Sequence, residues 1–77
     1  MKIYNNYSRQ REPRLYKATF TELPNDNRMF RAWNDIKAMD RAAQIAIDCG
    51  YGNIRSLYEV NPVNFKIIRA AFSYGRA

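Results

Sequence analysis

One stretch, Asn34 to Gly50, constrains this chain more than any other: Asn-Asp-Ile-Lys-Ala-Met-Asp-Arg-Ala-Ala-Gln-Ile-Ala-Ile-Asp-Cys-Gly. Asn34 and Asp35 are good N-caps, because a short side-chain oxygen accepts from the orphan N–H groups of a first helical turn. Gly50 suits the left-handed position that ends a helix at little cost. Between them Ile36, Met39, Ala43, Ala46 and Ile47 follow three-and-four spacing, and Ala38, Ala42, Ile45 and Cys49 widen the apolar arc. Lys37, Asp40, Arg41, Gln44 and Asp48 gather on the other side. Such a helix is expected to lie along a sheet with only a polar ridge in water. Cys49 is expected at its buried end, as a small hydrophobe.

The rest must supply that sheet. With 77 residues the chain holds one domain. A domain of this size buries only about 60% of its unfolded surface, so one helix-on-sheet layer is what it can build. Eleven aromatics supply large buried areas for that layer.

Residues 1–14 read as a basic flexible arm, with Lys2, Arg9, Arg11 and Arg14 against Glu12 alone. Residues 15–77 form the domain. Leu15 to Leu23 alternates Tyr16, Ala18 and Phe20 with Lys17, Thr19 and Thr21, a period of two. Pro24-Asn25-Asp26-Asn27 signals a turn, and Arg28 to Trp33 returns as a second strand. After Gly50-Tyr51-Gly52-Asn53, Ile54 to Val60 is a third strand. It is expected to run parallel to the second and to pair most simply with the first. Asn61-Pro62 opens a segment in which Phe65, Ile68 and Phe72 fall at helical spacing. A short C-terminal helix is expected over residues 62–74, with a fourth strand through 65–68 as the competitor. The expected fold class is α+β, ββα-β(α): a three-stranded antiparallel or mixed sheet on one long helix, with a short C-terminal helix.

Catalytic chemistry finds little footing. The chain has no His and a single Cys, so neither an intramolecular disulfide nor a zinc site of the usual kind is expected. Its seven acids are scattered, and Ser8, Ser56 and Ser73 lack a base partner. No enzyme activity and no cofactor are expected. No run approaches about 20 apolar residues, so a soluble cytoplasmic protein without membrane contact is expected.

Charge points to binding instead. The formal net charge is +6, and Arg outnumbers Lys nine to four. Arg favours bidentate and stacking contacts with phosphate or carboxylate. If Tyr16, Phe20, Phe30, Ala32, Ile54 and Tyr58 pack under the helix, the opposite sheet face shows Lys17, Thr19, Met29, Arg31, Trp33, Arg55 and Leu57. Interleaved aromatics and cations are how sheet-based readers hold single-stranded nucleic acid. An exposed Trp beside Arg also suits a protein interface. The alternative is that the C-terminal helix covers this face. The candidate partner-binding residues are Arg9, Arg11, Arg14, Lys17, Arg31, Trp33 and Arg55.

The run Phe30-Arg31-Ala32-Trp33-Asn34-Asp35, followed by Met39, Ala42, Ala43, Ala46 and Ile54, resembles small ββαβ proteins of phages and mobile elements, anti-CRISPR inhibitors among them. The resemblance spans residues 15 to 60, about 60% of the chain. It rests on hydrophobic spacing and transfers no site residue. It implies a non-enzymatic accessory protein that binds and blocks a host macromolecular complex, such as a CRISPR effector. Many such inhibitors mimic nucleic acid with acidic surfaces, and this basic chain departs from that pattern. The alternative is a small basic nucleic-acid-binding protein using the same residues. Either is compatible with a monomer or a homodimer.

Overall fold

The computed structural model describes residues 12–73, and in it five elements follow in order. They are β1 (Arg14–Phe20), β2 (Leu23–Ala32), α1 (Asp35–Cys49), β3 (Ile54–Val60) and β4 (Ile67–Ser73). The four strands form one sheet in the order β2-β1-β3-β4, and every neighbouring pair is antiparallel. The expected three-stranded sheet with a C-terminal helix is therefore corrected. Residues 67–73 form a fourth strand, and the described residues include no second helix. β2 and β3 both run antiparallel to β1, so α1 crosses over the strand between them.

The helix ends where its caps dictate. Asn34 Oδ1 accepts from the Lys37 N–H at 2.9 Å, and Gly50 is left-handed at φ 71°. Its buried face is narrower than the spacing suggests. Ala38, Ala42 and Ala46 are buried, with Met39 and Ile45 beside them, while Ile36 and Ile47 are more than 70% exposed. Cys49 is exposed rather than buried. The sheet explains this. Tyr16, Phe20 and Leu57 beneath the helix are fully buried, and Phe30 nearly so. Large side chains on the sheet meet methyl groups on the helix, so the helix approaches closely and only one row of it fits in the gap. Tyr16 stacks on Phe30 with ring centroids 6.2 Å apart, and Phe20 meets Tyr51 at 5.3 Å.

Three strands depart from simple alternation, β4 through extra residues at Ile68 and Ala71. The β1–β2 reversal falls at Thr21-Glu22, with Phe20 opposite Leu23, earlier than the Pro24–Asn27 signal. That signal marks a bulged excursion within β2, where the step from Leu23 to Arg28 spans only Phe20 to Ala18 on β1. Pro24 is tolerated there because β2 is an edge strand. The α1–β3 loop holds the reversal: Thr21 N–H donates to Asn53 O at 2.9 Å and Glu22 N–H to Tyr51 O at 2.8 Å. In β3 a register shift at Arg55 separates Phe20↔Ile54 from Thr19↔Ser56. Beyond it Leu57 and Glu59 share the helix face with Ala18 and Tyr16, and Tyr58 and Val60 turn to the other face. The expected facing of Leu57 and Tyr58 is thus inverted.

A charge network closes one end of the core. Asp35, in the first helical turn, accepts from the buried Tyr16 hydroxyl at 2.7 Å and from both Arg69 terminal nitrogens at 2.8 and 2.9 Å. Arg69 also meets Glu59 at 3.0 Å, and Arg14 lies 4.0 Å from both acids. The bidentate fork ties edge strand β4 to α1. Arg69, then the Tyr16 hydroxyl, hold the Asp35 carboxyl down at about 2 from its ordinary 3.8. Burial, then the bond to Asp35, push the Tyr16 phenol above its ordinary value. The folded Asp35 value lies below the unfolded one. Its contribution to stability is therefore complete above about pH 4 and is lost as pH falls toward about 2. Urea midpoints measured from pH 5 down to pH 2 should fall through that window. The Asp35→Asn variant should start lower and fall less, and an unchanged slope would remove Asp35 from the acid response.

Candidate binding face

No second helix lies among the described residues to cover the sheet face opposite α1, although Val60 and Ser56 on that side are buried. Register places two central rows on it. One runs Arg31, Leu15, Val60 and Ile67 across β2, β1, β3 and β4, and the next runs Met29, Lys17, Tyr58 and Ala70. A third begins at Thr19, Ser56 and Ser73, where the Thr19 and Ser56 hydroxyls hydrogen-bond at 2.5 Å. Strand alternation alone brings these residues together.

The structure sorts the candidate residues. Lys17, Arg31, Met29 and Thr19 share this face as expected from alternation. Trp33 lies just past the end of β2 and is 55% exposed. Arg55 is exposed at the β3 irregularity, outside the paired register. Leu57 is removed from the face, being fully buried beneath the helix. Arg14 belongs to the helix side with Tyr16, beside Asp35 and Glu59. Arg9 and Arg11 lie outside the described residues. Alternation missed Tyr58, half-buried on this face, and Val60, on the same side but buried, because the shift at Arg55 reverses the parity of the strand beyond it.

Ion pairing separates the strand cations, while Lys37 and Arg41 of α1 and Lys66 of the β3–β4 loop have no carboxylate within 4.0 Å among the described residues. Arg14, Arg28 and Arg69 all have carboxylate partners within 4.0 Å. Arg28 also lies 5.1 Å from the Tyr51 ring centroid and donates to its hydroxyl. Among the described residues no carboxylate lies that close to Lys17, Arg31 or Arg55. Arg31 donates through Nη1 to Pro13 O at 2.9 Å, which steadies the guanidinium. Beside it is a recess of about 180 Å³ lined by Pro13, Leu15, Val60 and Pro62 together with Arg14, Arg31, Glu12 and Glu59.

The described residues contain no group of three or more His, Cys, Asp or Glu able to hold a metal ion. None of their helices is long and apolar enough to cross a membrane. No family model, curated protein or solved structure matches the chain.

Proposed function

We propose that this protein is a non-enzymatic binder that docks on a macromolecular complex through the sheet face opposite α1. One observation carries the reading. Residues 67–73 extend that face as a fourth strand instead of covering it, and it holds Lys17 and Arg31 without carboxylate partners among the described residues. The resemblance of residues 15 to 60 to phage anti-CRISPR proteins makes a CRISPR effector of the host cytoplasm the first complex to test. Docking on an acidic protein patch, with Trp33 as an aromatic anchor, suits the basic chain.

The Lys17→Glu/Arg31→Glu double variant should keep the parent melting temperature, because both side chains point away from the core. It should lose at least about tenfold in affinity, the effect of about 1.4 kcal/mol, for effector captured by the parent at low salt. Binding unchanged by the double reversal would sink this reading.

Lys17 opposite Tyr58 favours a second reading, in which the face holds single-stranded nucleic acid by stacking and phosphate contact. Neutralising about three phosphates through Lys17, Arg31 and Arg55 predicts a log–log salt slope of about −2 on single strands. A flat slope with tight protein binding excludes it.

A further inference from the structure

The other surface that demands a partner is the outer edge of β4. Eight large hydrophobic side chains are exposed among the described residues, and four of them, Val63, Phe65, Ile67 and Ile68, fall within six consecutive positions. They occupy the β3–β4 loop and the start of an edge strand whose far side pairs with nothing among the described residues. A contiguous apolar edge of this kind is what solvated sheets normally avoid.

The loop carrying them is fixed in shape. Asn61 N–H donates to Lys66 O at 2.8 Å and Phe65 N–H to Asn61 O at 2.7 Å. Asn61 Oδ1 accepts from Val63 N–H and Asn64 Oδ1 from Lys66 N–H. These bonds hold Phe65 at φ 62°, a left-handed conformation rarely adopted by bulky residues. A rigid loop loses little freedom when its apolar side chains are covered.

We propose that the β4 edge is a homodimer interface, pairing antiparallel with β4 of a second copy across a two-fold axis at Ala70. That register sets Ala70 against Ala70, Ile68 against Phe72 and Ile67 against Ser73 of the second copy. No like charges meet. Arg69, the one charged residue in β4, is already held by Asp35 and Glu59 of its own chain and falls opposite Ala71. The pairing is closed rather than propagating. It covers Ile67 and Ile68 of both copies, while the other sheet edge, β2, carries Pro24, Asp26 and Arg28. β4 bulges at Ile68 and Ala71 against β3, which limits the shared ladder. The dimer is therefore weak and depends on its side chains. The net charge of +6 opposes approach of two copies, so added salt strengthens the dimer. Salt weakens attachment of the basic sheet face to an acidic partner, and the opposite sign separates the two surfaces.

Sedimentation of the full chain between about 5 and about 500 µM should show mass rising from monomer to dimer, as small interfaces require such concentrations. The midpoint should move to lower concentration in high salt. Ile68→Lys replaces an exposed side chain, so it should fold normally and weaken association at least tenfold. Ala70→Cys, made in a Cys49→Ser background, should oxidise to a covalent dimer, since residues facing across such an axis lie within disulfide reach. A monomer at every concentration overturns the proposal. So does a dimer that survives Ile68→Lys and gives no cross-link through position 70.

Discussion

Replacing Leu57 by alanine is expected to cost about 2–5 kcal/mol, the range for removing a large aliphatic side chain from a close-packed core. A domain of this size has a total stability of about 4–12 kcal/mol, so the variant should be partly or largely unfolded at 37 °C. Leu57 is fully buried, pairs across the sheet with Ala18 and lies beneath α1. Tyr58→Ala next to it should cost only about 1 kcal/mol, because that side chain lies half-buried on the open face. Denaturant titration of both variants checks the assignment of faces in β3. Equal losses, or a larger loss for Tyr58→Ala, would contradict the register shift at Arg55.

Enlarging the helix stripe should be nearly as damaging. Ala42 is fully buried at the middle of the Ala38–Ala42–Ala46 row. Ala42→Leu has no room to enter and must lift the helix from Tyr16, Phe20 and Leu57, at about 1–3 kcal/mol. In a domain of this length each kcal/mol lowers the melting temperature by about 4–8 °C. Ala43→Leu, one position on, faces water and should change stability by no more than about 0.5 kcal/mol. If both leucines are tolerated alike, the helix does not rest on the sheet through a single row.

What the sequence made legible was what local chemistry decides. Asn34 and Gly50 fix the helix ends through their own backbone and side-chain bonds, and no distant residue is needed to place them. Tyr16, Ala18 and Phe20 announce the inner face of β1 because nothing interrupts their alternation. Irregularities hid the rest. The shift at Arg55 exchanges the two faces of β3 midway, which moved Leu57 into the core and Tyr58 out of it. In β4, extra residues at Ile68 and Ala71 place Ile67, Ala70 and Ser73 on one face. The bulges hide the alternation of this strand, and Phe65 from the loop, Ile68 from a bulge and Phe72 from the helix-side face fall by chance at helical spacing. Of the candidate site, Lys17 and Arg31 were legible from alternation. The acids that occupy Arg14 were not, since they come from α1 and β3.

The position of β1 between β2 and β3 has a consequence for synthesis. The β1–β2 hairpin can close once Ala32 has left the ribosome, but the second edge of β1 waits until β3 has also emerged, beyond the whole of α1. Through that interval a half-sheet bearing Tyr16, Phe20 and Phe30 has the β3-side edge of β1 unpaired in addition to the outer edge of β2, the state most open to wrong pairing. The helix made next is the element whose alanine row fits those side chains. It lies over that half-sheet in the finished fold, so its order in the chain makes it available as a cover before the sheet is complete.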